Sequence, residues 1–182
     1  MLSIDALSES NSKLCRAHLV LTFIVHLYVH SQVPLDDQDQ DHPPHLIPFS
    51  ISHPLLTLSD VLSMPPVLTY SDTVLYNWII PPVVPMASLD LDFHTTFTRT
   101  PDEAHFYRIS ALIELRGAEA LHLMRQILEE IQMADSLAVR QVSAYLRSLA
   151  TTVDKMTILL DDMYKGCDPG TSICKSREDL GS

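Results

Sequence analysis

From Val139 to Met163 the apolar residues advance by three and four without a break, through Val142, Leu146, Leu149, Val153, Met156 and Leu160. Steps of three and four gather side chains on one face of a helix, whereas on a strand they scatter over both faces. A helix so patterned must lay its stripe against something, as a coiled-coil seam or one face of a bundle. A second stripe precedes it: Phe106, Ile109, Ile113, Gly117, Ala120, Met124, Ile127 and Ile131. No segment alternates apolar and polar in the manner of a strand. The patterning predicts an all-α fold of at least four helices with no sheet.

Local signals set the boundaries. Thr100-Pro101-Asp102-Glu103 combines a capping threonine, a proline suited to the first turn and a glutamate at the capping-box position. A helix is predicted from there to about residue 133, and a further one, capped by Asp135 or Ser136, runs to a stop at Gly166. Upstream, residues 13–31 form a helix apolar nearly all round, as one enclosed by other helices requires, with Asn11 or Ser12 as N-cap. A short helix follows over 54–64 and ends at Pro65-Pro66; another over 70–80 ends at Pro81-Pro82. The domain reading is a small helical domain over 1–82 with an acidic linker at 32–53, a second linker at 83–100, the start of a larger helical domain over 101–166, and a disordered tail at 167–182.

A formal net charge of −11 excludes a broad basic footprint, so nucleic acid is not an expected partner. The apolar run 19–29 is shorter than the roughly 20 residues a bilayer demands, and His26 interrupts it, so no membrane partner is expected either. Cys15, Cys167 and Cys174 are too few and too scattered for a disulfide framework or a zinc site, and reduced thiols in a cytoplasmic protein are the expectation. The acidic run 36–41 lacks the glycine and distal glutamate of a calcium loop. Of the nine histidines, His26 and His30 share a helix face four residues apart without a third ligand nearby in sequence. His42, His45, His53 and His94 are placed in loops, His105 and His122 on the capped helix. No nucleophile elbow or phosphate-cradling loop is present.

The segment Met64-Pro65-Pro66-Val67-Leu68-Thr69-Tyr70-Ser71-Asp72-Thr73-Val74-Leu75-Tyr76-Asn77-Trp78 couples a rigid entry to an aromatic-rich helix. It resembles the pocket-forming segment of the indoleamine 2,3-dioxygenases, all-helical haem enzymes that open the indole ring of tryptophan. The resemblance continues in Arg16-Ala17-His18-Leu19-Val20-Leu21 and in Phe106-Tyr107-Arg108-Ile109-Ser110-Ala111-Leu112-Ile113-Glu114, and spans roughly 13–168. It implies haem b as the cofactor of the complete family, L-tryptophan or an indoleamine as small-molecule substrate, and N-formylkynurenine as product. By the same resemblance Tyr70 is an aromatic wall of the indole pocket, Thr73 stands where the mammalian enzymes have cysteine, and Val74 matches a pocket valine. Phe106 matches an aromatic that packs on the substrate, and Ser110 the distal serine near the iron-bound oxygen. Helical spacing places Tyr70 with Val74, and Phe106 with Ser110, on shared faces.

After Asp168-Pro169 the chain reads Gly170-Thr171-Ser172-Ile173-Cys174-Lys175-Ser176-Arg177, without the family's substrate-carboxylate arginine, glycine-rich loop or proximal histidine. The expectation is a fragment with no iron ligand of its own, which binds no haem productively and is inactive alone. The alternative is a non-catalytic interaction module, or gene remnant, acting through the stripe Val139 to Met163.

Overall fold

The structure is a computed structural model that describes residues 7, 10–31, 46–79, 91–133 and 136–167. Its described elements are helix α1 (Asn11–His30), helix α2 (Phe49–Leu62), a π-helical turn (Ser71–Leu75), strands β1 (Trp78–Ile79) and β2 (Asp92–Phe93), and helices α3 (Pro101–Ile131) and α4 (Ser136–Gly166). The fold is all-α, with one departure from the sequence expectation: Trp78 pairs antiparallel with Phe93 and Ile79 with Asp92. The described residues fall into two compact units, one drawn from Met1–Ile79 and Asp92–Arg99, the other from Ile80–Leu91 and Thr100–Ser172.

In the first unit α1 packs on α2. The inner face of α1 carries Leu14, Cys15, His18, Leu19, Thr22 and Phe23, two rows at helical spacing. Phe97 stacks on Phe23 with ring centroids 4.2 Å apart. The opposite face leaves Val20, Ile24, Leu27 and Val29 exposed, so α1 is buried on one side rather than enclosed. It has the length and apolar content to cross a membrane. Its buried face, however, carries His18 and Thr22, with the Thr22 hydroxyl donating to the His18 and Leu19 carbonyls at 2.9 Å each, as in a core helix.

Helix α2 starts at Phe49, ahead of the predicted Pro54, which lies inside it. The hydrogen bond that Pro54 cannot make falls near the exposed start of the helix, where the Ser50 carbonyl has access to water. Termination is sharper. Ser63 adopts the left-handed conformation (φ 53, ψ 40), and Met64 N–H returns to the Ser59 carbonyl at 2.9 Å. That six-to-one closure ends the helix before Pro65-Pro66.

The helix expected over 70–80 is replaced by a π turn. Tyr76 N–H reaches the Ser71 carbonyl, five residues back, at 3.1 Å. The chain then straightens because Asn77 has a better partner elsewhere. Its side-chain NH2 donates to the Thr95 carbonyl (2.8 Å), its side-chain oxygen accepts from Thr95 N–H (3.1 Å), and its own carbonyl accepts from His94 N–H (2.7 Å). Asn77 thus extends the short ladder by one rung.

The second unit is an antiparallel pair of 31-residue helices, α3 and α4, each about 46 Å long at 1.5 Å per residue. The Thr100 hydroxyl accepts from Glu103 N–H at 3.3 Å, the cap anticipated from sequence. The start of α3 faces the end of α4: His105 Nε2 lies 3.1 Å from the Asp162 carbonyl, and the Cys167 thiol 3.5 Å from the Asp102 carbonyl. Gly117 lies opposite Met156 midway along. Arg108 closes the unit's edge, donating through Nε and Nη2 to the buried Leu91 carbonyl at 3.3 Å each.

Burial corrects the predicted stripes. On α4 the best buried residues are Ala138 and Thr152, with Val142, Tyr145, Leu149, Met156, Leu159 and Met163 half-buried. Val139, Leu146, Val153 and Leu160, the other half of the stripe, are exposed. On α3 burial concentrates at Tyr107 and Ile109 to Leu112, while Phe106, Met124 and Ile131 are exposed. A single partner helix covers a narrower face than a full bundle does. The acidic segment 36–41, Asp135 and the tail from 168 lie outside the described residues.

Candidate functional site

A histidine inside an apolar helix face needs hydrogen-bond partners, because an unpaired polar group in a core costs a large fraction of a domain's stability. His18 finds two. Nδ1 lies 2.7 Å from Asp72 Oδ1 on the π turn, and Nε2 lies 3.2 Å from the Ser59 hydroxyl on α2. A carboxylate oxygen only accepts, so Nδ1 carries the donated proton. Three elements of the first unit therefore meet at one imidazole.

Asp72 divides its oxygens between two tasks. Oδ2 accepts from Thr69 N–H (3.0 Å) and from the Thr69 hydroxyl (2.7 Å), while Asp72 N–H donates back to the Thr69 hydroxyl oxygen at 3.2 Å. This is capping-box reciprocity at the entry to the turn. Oδ1 remains for His18. The order Asp72–His18–Ser59 repeats the hydrogen bonding of a nucleophile triad. Exposure decides against that chemistry: His18 and Asp72 are 0% and Ser59 3% exposed, so the hydroxyl faces no substrate.

On this anchored turn sit three residues singled out by resemblance. Tyr70 is 53% exposed, Thr73 half-buried and Val74 1% exposed. Tyr70 and Val74 thus differ in environment, one largely exposed and the other in the core. The Thr73 hydroxyl turns back on the Thr69 (3.4 Å) and Tyr70 (3.3 Å) carbonyls, which leaves its methyl as the remaining contact surface.

Phe106 and Ser110 lie one turn apart on α3, in the second unit. Phe106 is 46% exposed and Ser110 buried. Phe106 meets Tyr107 edge-on at 6.0 Å. Burial first, then the Glu103 carboxylate by charge and hydrogen bond, push the Tyr107 phenol far above its ordinary range, so it stays protonated.

Most of the other described histidines pack against neighbouring rings or polar groups. His53 lies in α2, not in a loop, and stacks on Phe49 at 4.9 Å. The His26 and His30 rings sit 4.2 Å apart, and His26 also meets Phe97 at 4.8 Å. Burial, then the neighbouring His30, holds His26 below the ordinary imidazole value. His94, bonded to Arg16, is also held below it, by burial and then by the Arg16 charge, against a smaller opposing pull from Asp92. His122 is exposed on α3. His42, His45 and Cys174 lie outside the described residues. Among the described residues no group of three or more His, Cys, Asp or Glu could hold a metal ion.

The indoleamine 2,3-dioxygenase family model matches residues 1–177, and the chain belongs to that family. The match extends beyond the 13–168 span legible from motifs. An indoleamine 2,3-dioxygenase of Saccharomyces cerevisiae is 31% identical over 171 residues, covering 91% of this chain and 36% of the relative. An indoleamine 2,3-dioxygenase of Aspergillus candidus is 32% identical over 165 residues, covering 85% and 37%. The indoleamine 2,3-dioxygenase 1 of Mus musculus is 28% identical over 156 residues, covering 85% and 36%. The chain thus spans a little over a third of the length of these relatives.

The family is haem-dependent. A histidine that ligates haem iron must offer a ring nitrogen with a free lone pair. Both ring nitrogens of His18 are engaged in a sealed core, and His105 Nε2 is bonded to the Asp162 carbonyl. Neither ring nitrogen of His18 is free to ligate iron.

Proposed function

We propose that this chain is the N-terminal portion of a haem-dependent indoleamine 2,3-dioxygenase and supplies substrate-side positions without the iron ligand. The supporting observation is the anchored turn: within a chain matched to the family over 1–177, the segment bearing Tyr70, Thr73 and Val74 is fixed by the buried Thr69–Asp72–His18 network. L-tryptophan or a related indoleamine is the substrate and N-formylkynurenine the product. Tyr70 offers an exposed aromatic face suited to an indole ring. Thr73 offers its methyl, and Val74 backs the turn from the core. Phe106 is the second aromatic contact, and Ser110 the small polar group on the oxygen side. The oxidation itself belongs to haem held elsewhere in the complete protein. Alone, the chain binds no haem productively and does not oxidise tryptophan. Cytoplasmic residence suits the free thiols of Cys15 and Cys167.

A chimera tests the reading, with this chain replacing the matching portion of the Saccharomyces cerevisiae relative. N-formylkynurenine formation that falls sharply in Tyr70→Ala and Ser110→Phe is the expected result. A folded, haem-loaded chimera without turnover would overturn it.

One observation favours a second reading. The exposed half of the α4 stripe, Val139, Leu146, Val153 and Leu160, is an apolar face suited to a non-catalytic interaction module. Such a module would bind a protein partner and gain no dioxygenase activity in the chimera.

A further inference from the structure

We propose that His18 is a positioning residue: through Asp72 it holds the Tyr70–Val74 turn in one orientation and so fixes where Tyr70 meets an aromatic ligand. The ligand half of this statement rests on the reading of Tyr70 given above; the geometric half does not. The π turn spans five residues, too short for backbone bonds alone to hold it in place. Its local closure, Thr69 with Asp72 Oδ2, shapes the turn but ties it to nothing else. A buried polar tie from the turn itself to α1 is Asp72 Oδ1 to His18 Nδ1 at 2.7 Å, beside the core packing of Val74 and the Asn77–Thr95 pair that follows the turn. The imidazole is itself locked, since Ser59 on α2 holds its other nitrogen.

Tyr70 follows Thr69 directly and is half exposed, so the placing of the Thr69–Asp72 closure carries over to it. A buried polar pair adds little net stability over well-packed apolar side chains of the same volume. What three directed hydrogen-bonding partners add is a single geometry. That is the property a substrate wall requires, because misplacement by about an ångström is costly to a positioned reaction.

The full chain, labelled with 3-fluorotyrosine, reports on Tyr70 by fluorine NMR, with its line assigned by loss in Tyr70→Phe. His18→Asn places an amide nitrogen near Nδ1 and keeps a donor toward Asp72. His18→Gln reaches instead toward Ser59 and gives the Asp72 donor up. The expected result is one sharp Tyr70 line in the native chain and in His18→Asn, and a broadened or split line in His18→Gln, with the helical circular dichroism unchanged. An unchanged line in folded His18→Gln, or equal perturbation by Asn and Gln, overturns the proposal, since equal effects mean mere space filling. If His18→Gln does not fold, Asp72→Asn decides: it weakens the acceptor toward His18 Nδ1 and should broaden the Tyr70 line, and a sharp line in folded Asp72→Asn overturns the proposal. In the chimera, His18→Gln should raise KM for tryptophan about tenfold with kcat within about twofold, and His18→Asn should restore it. Chimera inactivity with the NMR result intact would sink the functional reading and leave the positioning role standing.

Discussion

Asp72 ties the turn to α1, since it accepts from His18 and twice from Thr69 while sealed from solvent. Removing it leaves the His18 Nδ1–H and the Thr69 donors without their buried acceptor. Asp72→Ala should therefore destabilise the chain by about 2–4 kcal/mol, measured as a shift of the urea midpoint. Ser59→Ala removes one hydroxyl and should cost only about 1 kcal/mol. Ser63 should respond in the opposite direction. Its left-handed backbone strains an L side chain, so Ser63→Gly should stabilise by about 0.5–1 kcal/mol after the entropy that glycine adds to the unfolded chain. Gly166→Ala should be unfavourable, because its Cβ would overlap the His105 ring and force it off the Asp162 carbonyl, a loss of about 1 kcal/mol. His18 stood in the sequence within the family-resembling run 16–21, but with no role assigned to it. Its partners lie 41 and 54 residues away, beyond the reach of any local pattern.

At the scale of elements, the signals that proved legible were local ones. Thr100 and Pro101 start α3 where the capping pattern placed them, and α1 falls within two residues of expectation at each end. The turn after Tyr70 was misread because Asn77 pairs with Thr95, 18 residues on, and that partner outcompetes helix continuation. The roles assigned to Tyr70, Thr73, Val74, Phe106 and Ser110 came from family resemblance, since spacing alone does not separate a pocket aromatic from a core one. α1 and the segment after β2 also carry a pH dependence. His26 and His94 are both held below the ordinary imidazole value of 6.5 in the folded state, so below that pH the unfolded chain binds more protons. Their contribution is fully present above about pH 6.5 and is lost as pH falls toward the folded-state values. Thermal midpoints should fall between pH 7.5 and 5.5, with a shallower fall in His26→Gln. A midpoint that rises on acidification would contradict this assignment.

At the scale of the molecule, the exposed row Val139, Leu146, Val153 and Leu160 should favour self-association. Sedimentation should show concentration-dependent association, and Val139→Lys with Val153→Lys should shift it toward monomer. The central claim is that this chain carries substrate-side positions of a dioxygenase and not its iron site. The most direct measurement is the rate of N-formylkynurenine formation with haem, reductant and L-tryptophan, by this chain alone and by this chain mixed with the remaining portion of the Saccharomyces cerevisiae relative. The account predicts product only from the mixture. Turnover by the chain alone, comparable to a complete family member and abolished by Ser110→Phe, would contradict it.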